Sequence, residues 1–291
     1  MAEQNTRRWK IGDVEVVRIV ELAHEQIDAN FMFPDCTPQD VQRHGWLCPT
    51  HATPEGQIII AFQAFAVRIG DRRIMVDTCI GNDKYRVAPI FHQRQGEFLE
   101  DLAAAGFAAE DIDTVLCTHL HLDHVGWNTR LVEGRWVPTF PNARYLMSQV
   151  ELDFIRSLVG VPHAEVDHIS DSLQPVFDAG MVDFVESDHR VCDELWLEPT
   201  PGHTPGHVSI RISSRGEEAV ITGDVMHHPL QCAEPLLRNR FCNDHDHSRE
   251  TRLAFLNRYA GRDTLVIGTH FVEPTAGWIV PDGDAWRFTH E

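Results

Sequence analysis

Between His119 and His124 the chain packs three histidines and an aspartate into six positions, in the order His119-Leu120-His121-Leu122-Asp123-His124. In an extended segment alternate side chains face the same way, so His119, His121 and Asp123 can converge. His124, next door, offers a second direction of approach. Imidazole suits zinc, copper, iron and nickel, and a carboxylate adds charge and a harder donor. The chemistry this spacing points to is metal binding. One such cluster cannot close two metal shells, so further ligands must come from elsewhere.

Three other segments supply candidates. His203 stands in the glycine- and proline-punctuated loop Thr200-Pro201-Gly202-His203-Thr204-Pro205-Gly206-His207. Asp224 ends the apolar run that begins at Ala219, and His270 ends the run from Thr264. Each follows a short apolar strand or a tight loop, where open α/β sheets place ligands and catalytic groups.

The elements that must position these residues read as follows. Val14 to Val20 forms a strand. The β-rich run from Ile58, a turn at Gly70-Asp71 and Arg73 to Asp77 form two more. A helix is expected from Gly96 to Ala105, stopped by Gly106. The strand Asp113 to Thr118 runs directly into His119. Tyr145 to Met147 is a strand and Gln149 to Leu158 a helix, with short strands near Met181–Val185 and Leu195–Leu197. His207–Ile212 and Ala219–Thr222 form a hairpin pair. Ser248 to Tyr259 has helical spacing, and Thr264 to Ile267 is a final buried strand. Interleaved strands and helices without repeats or a linker make the fold class α/β, with residues 1–291 as a single domain. Residues 24–57 are irregular, interrupted by Pro34, Pro38, Pro49 and Pro54. Their apolar residues Phe31, Met32, Phe33 and Trp46 serve as core filler, as a flap over a substrate cleft, or as an interface patch in a homodimer.

Composition excludes some functions. The 291 residues carry 44 acidic against 25 basic side chains, a formal net charge of −19. That field repels phosphate backbones and anionic membranes, so neither nucleic acid nor membrane is an expected partner; a small-molecule substrate is. No apolar run is long enough to span a bilayer, and the polar stretch Met1 to Lys10 lacks the apolar core of a secretion signal. The seven cysteines form no C-x-x-C motif. They read as mostly buried, reduced thiols in a cytoplasmic protein.

The chain resembles the metallo-β-lactamase superfamily, whose marker is His-x-His-x-Asp-His, here His119 to His124. Other markers match in order: Asp77 in Val76-Asp77-Thr78, His203 in Pro201-Gly202-His203, the pair Gly223-Asp224, and His270. The resemblance implies a four-layer αββα sandwich with metals at one edge. It implies that His119, His121 and His203 hold one divalent ion, that Asp123, His124 and His270 hold a second, and that Asp224 bridges both. Asp77 would orient a ligand histidine, and His207 would be structural. Zinc is the first expectation for both ions, with manganese, iron or cobalt also compatible with an all-His/Asp set.

The function implied is that of a binuclear hydrolase in which a metal-bridging hydroxide attacks a lactone or ester carbonyl. Asp123 is the expected proton carrier to the leaving group. The Thr-Pro-Gly-His-Thr-Pro-Gly-His loop resembles the lactonase-type branch that includes N-acyl homoserine lactonases. In that branch a tyrosine follows the bridging aspartate by three residues; here that slot holds His227, followed by His228. His227 either donates to an oxyanion or forms part of the cleft wall. Alternatives are phosphotriester, thioester or β-lactam hydrolysis by the same fold, and a persulfide dioxygenase that uses one iron.

Overall fold

The polypeptide builds two helix-on-sheet units from interleaved pieces of chain, as a computed structural model describes them for residues 6–162 and 164–290. One unit comprises Met1–Glu21 and Phe62–Glu186, the other Leu22–Ala61 and Ser187–Glu291. The first five residues of the polar N-terminal stretch lie outside the described residues.

The strands of the first unit are β1 (Thr6–Ile11), β2 (Val14–Asp28), β3 (Gln57–Ile69), β4 (Arg72–Val76), β5 (Thr114–Leu116), β6 (Thr129–Val132), β7 (Arg135–Pro138), β8 (Arg144–Met147) and β9 (Val182–Phe184); β2 and β3 also have residues in the second unit. Seven of these form one sheet in the order β1-β2-β3-β4-β5-β8-β9, while β6 and β7 make a separate hairpin. From β4 to β9 the pairings are parallel. Parallel strands need crossover segments, which here carry the helices α1 (Phe98–Ala104), α2 (Gln149–Ser157) and α3 (Gln174–Asp178). Met75, Val115, Tyr145 and Met147 of the sheet bury against Phe98, Leu102, Leu152, Ile155 and Val176 of the helices. Each such side chain contributes about 1.5–3 kcal/mol of burial. Gly106, at φ +86°, closes α1 as expected. The Ser148 hydroxyl caps α2 by accepting the Val150 N–H.

The second unit has a six-stranded sheet of β10 (Leu195–Pro199), β11 (Val208–Ser214), β12 (Glu217–Ile221), β13 (Leu265–Ile267), β14 (Ala276–Asp282) and β15 (Ala285–Thr289), in that spatial order. Only β12 and β13 pair in parallel. Their crossover contains α4 (His245–Tyr259), capped by the Asp244 carboxylate, and its Phe255, Leu256 and Tyr259 pack on Val220, Val266 and Ile279.

The α/β class is as expected. Several elements differ from the sequence expectation, among them the hairpin β6–β7 and the helix α3, for which no element was expected. β2 runs on to Asp28, eight residues past Val20, because its second half alternates partly exposed and exposed residues in a way a hydrophobic scan misses. β1, with the charged pattern Thr-Arg-Arg-Trp-Lys-Ile, escaped for the same reason. Residues 29–47 hold short helical turns, Ala29–Met32, Pro38–Gln42 and Gly45–Leu47, rather than being wholly irregular. The hairpin β14–β15 follows His270, where no further element was expected. Phe33 is fully buried and Trp46 packs on the second unit's core, whereas Phe31 is 49% exposed. All seven cysteines are free thiols, five of them buried. Among the described residues, no helix is long and apolar enough to cross a membrane.

Candidate metal centre

In the first unit the ligand-type residues sit just past the ends of two parallel strands. β4 and β5 pair with Val76 beside Leu116. The chain therefore leaves the sheet at Asp77 on one strand and enters Thr118-His119 on the other. Asp77 adopts φ +58°, a left-handed conformation that aspartate tolerates better than most residues. Its buried carboxylate is the hub of this half. Oδ1 accepts the Thr118 N–H at 2.8 Å, Oδ2 accepts the Thr118 hydroxyl at 2.8 Å, and Oδ2 lies 2.9 Å from His124 Nδ1. The Thr118 oxygen is in turn 3.1 Å from His119 Nδ1. With its hydroxyl proton given to Asp77, Thr118 accepts from His119. One carboxylate thus places the proton on Nδ1 of His124 directly and of His119 through Thr118, so that Nε2 is the unprotonated nitrogen of each neutral ring.

The loop itself is tight. The His124 N–H bonds the His121 carbonyl at 3.0 Å, and the Thr78 N–H bonds the His124 carbonyl at 2.8 Å. His119 Nε2 and His121 Nδ1 face each other at 3.0 Å, and Asp123 Oδ2 lies 3.7 Å from His124 Nε2.

In the second unit, Asp224 and His270 each stand three residues beyond a paired position, since Ile221 is beside Ile267 in the β12–β13 register. Three imidazoles converge on the buried Asp224 carboxylate. His203 Nε2 is 3.2 Å and His227 Nε2 3.1 Å from Oδ2, and His270 Nε2 is 3.2 Å from Oδ1. The opposite nitrogen is anchored for two of them: His270 Nδ1 donates to the Ala61 carbonyl at 2.9 Å, and His203 Nδ1 lies 3.6 Å from the Cys242 sulfur. Burial opposes charge on His203, but the adjacent Asp224 overrides it and pushes the pKa up to about 10. The carboxylate draws positive charge to this point.

His207 is structural, as expected. Its Nε2 accepts the Asp224 backbone N–H at 2.7 Å while Nδ1 donates to the Thr200 carbonyl at 3.0 Å. His228 is likewise committed to backbone, donating to the His51 carbonyl at 2.7 Å and accepting the Leu230 N–H at 3.0 Å. His227 stacks on His270, rings nearly parallel at 5.5 Å, with its backbone N–H on Gln231.

These residues fit divalent ions. Each of His119, His124, His203 and His270 has Nδ1 engaged by a protein group, which is how metal-ligating histidines are oriented. Both His/Asp groups, with His119, His121, Asp123 and His124 in one unit and His203, Asp224 and His270 in the other, consist of metal-ligating residue types that are mostly buried. The sequence did not single out Cys242, Glu151 or His168: Cys242 lies beside His203 Nδ1, and Glu151 and His168 bond the Leu120 backbone. Single polar residues separated from the marker carry no spacing signal.

The chain belongs to the metallo-β-lactamase superfamily: the profile of that family matches residues 63–270, which takes in every site residue named above except those outside that range in the N-terminal segment. Its fold is that of the superfamily's hydrolases, whose sites take divalent metals. Among similar proteins, an N-acyl homoserine lactonase from a Bacillus species is 27% identical over 120 residues, 41% of this chain and 40% of that protein. The matches to curated lactonases thus span about 40% of those relatives' length. Among solved structures, the hydrolase AbOPH of the beta lactamase superfamily superposes with a TM-score of 0.81 at 24% identity, covering 99% of this chain and 97% of that one. AidC, a dizinc quorum-quenching lactonase solved with a homoserine product, gives a TM-score of 0.76 at 21% identity, with the same coverage of 99% and 97%. At these identities the likeness is one of fold.

Proposed function

We propose that the protein is a binuclear metal-dependent hydrolase that opens a lactone or ester. The observation that carries this reading is that His119, His124, His203 and His270 each have Nδ1 held by a protein group, which leaves Nε2 as the atom that would ligate. The family order supports the assignment of His119, His121 and His203 to one ion, Asp123, His124 and His270 to the other, and Asp224 to both. Divalent ions held there would supply an activated water near neutral pH and would polarise the substrate carbonyl.

The chain's own residues do the rest. Asp77 and Thr118 fix the tautomers of His124 and His119, so no reorganisation is needed when a ligand arrives. His207 holds the Asp224 backbone, and Gln231 holds that of His227. Asp123 is only partly buried, unlike His119 and His124, and its carboxylate is the group available to carry a proton to the leaving oxygen. His227 contributes an N–H on Nε2, which Asp224 accepts; it supports that carboxylate and takes the slot of the tyrosine of the homoserine lactonases. Lactone or ester carbonyls are favoured over phosphotriesters by the likeness to curated lactonases. Zinc is the expected metal for both sites.

The test is metal content per chain by elemental analysis together with turnover on lactones, aryl esters and phosphotriesters. About two zinc-type ions per chain and chelator-sensitive lactone or ester turnover is the expected result. A single iron with oxygen uptake on a persulfide would overturn the hydrolytic reading.

A further inference from the structure

We propose that Glu151 and His168 are positioning residues that fix the two peptide planes joining His119 to His121; this rests on the metal-centre reading above. Peptide planes are rigid, so the relative orientation of the two planes that join His119 to His121 is set by the two backbone torsions of the residue between them, Leu120. Both planes flanking Leu120 are held. Its N–H donates to Glu151 Oε2 at 3.2 Å, and its carbonyl accepts from His168 Nε2 at 2.9 Å. Its side chain is fully buried in the core of the first unit.

The two clamping groups are themselves fixed. Glu151 lies in the first turn of α2 and is 1% exposed, and His168 is 2% exposed. His168 opens the π-helical turn Ile169–Leu173, which is tied down through Asp171. Arg86 grips that carboxylate with two nitrogens, at 2.6 and 2.9 Å, and Lys84 donates to the Asp171 carbonyl at 2.9 Å. An otherwise unexplained buried charge cluster is therefore the foundation of a single hydrogen bond to the metal-ligating loop. His168 donates from Nε2 and is neutral, which burial favours.

The experiment compares His168→Leu, which removes the donor, with His168→Gln, which restores an N–H of similar reach, in the full chain. Amide hydrogen exchange across residues 118–124 and zinc affinity by competition with a chromophoric chelator are both measured. His168→Leu is expected to speed exchange in that segment at least about ten-fold and to weaken zinc binding about 10–100-fold, the range for lost outer-shell partners. His168→Gln is expected to return both most of the way. Unchanged exchange and affinity in His168→Leu would overturn the proposal, as would equal losses in the Leu and Gln variants. Should His168→Leu not fold, Glu151→Ala makes the same comparison from the other plane. If the wild-type chain took up no zinc, manganese, iron or cobalt, the hydrolase reading would fail, while the exchange rates would still decide whether the clamp exists.

Discussion

Asp77 Oδ2 lies 2.9 Å from Nδ1 of His124, and the same carboxylate reaches His119 through the Thr118 hydroxyl. A single residue that binds no metal in the proposed scheme therefore prepares one ligand for each of the two ions. Asp77→Ala is expected to weaken both, lowering zinc affinity about 10–100-fold. It also strands the buried Thr118 N–H, at a cost of about 1–3 kcal/mol of stability. Asp77→Asn tolerates the left-handed backbone and keeps one acceptor, so it separates charge from geometry. Chelator competition and denaturant unfolding on both variants check this; wild-type affinity in Asp77→Ala would remove the residue from the scheme.

Asp123→Asn is expected to lower turnover more than it lowers metal content. The carboxamide can still ligate through oxygen but cannot carry a proton. Elemental analysis and kcat on one preparation decide the matter: if both metals are bound and kcat is unchanged, Asp123 is a ligand only.

Gly223→Ala is expected to destabilise the protein. Gly223 sits at φ +54°, and a Cβ there would lie 2.5 Å from His207 Nε2, the atom that accepts the Asp224 N–H. Left-handed strain of about 1–2 kcal/mol adds to overpacking of about 1–3 kcal/mol. Equilibrium unfolding measures the loss, and a loss under 1 kcal/mol would mean that the His207 ring moves freely.

Burial lowers the Lys84 pKa from 10.5 to about 7, against the opposing pull of Asp171. The unfolded chain then holds a proton that the folded chain has released between about pH 7 and 10.5, so stability rises with pH across that window. Its Nζ lies 3.6 Å from the centroid of the Trp136 ring and donates to the Thr129 hydroxyl and the Asp171 carbonyl; Lys84→Met removes those two bonds while Arg86 stays paired with Asp171. The stability of wild type relative to Lys84→Met should increase by about 2 kcal/mol from pH 7 to pH 9. A flat difference would show that the ammonium remains charged throughout.

Phe31 is half exposed and meets Phe241 edge-on, with Arg240 over its ring, whereas the neighbouring Phe33 is core. Phe31→Ser therefore tests the exposed part of the 24–57 segment without breaking the interior. A raised KM with unchanged sedimentation supports a flap; a smaller sedimenting species with unchanged KM supports a homodimer interface.

The site was more legible than its supports. Short apolar runs end at Asp77, Thr118, Asp224 and His270, and such runs bounded by ligand-type residues can be read directly. Extended segments whose side chains are partly solvated, such as Thr6–Ile11 and the second half of Val14–Asp28, lack that contrast. The contacts of Glu151 and His168 with Leu120 join residues 31 and 48 positions apart, a separation that only tertiary structure brings together.

The matched offset of Asp224 and His270, each three residues past the Ile221–Ile267 pair, ties chemistry to assembly. If β13 slid by one residue against β12, His270 would move by about 3.3 Å and its side-chain direction would invert. A chain folded in that register would lack the Nε2–Oδ1 approach of His270 to Asp224. An ion that binds only the correctly registered form stabilises that form by mass action. A metal held as in the proposed scheme would then act as a proofreader of the sheet that carries its ligands.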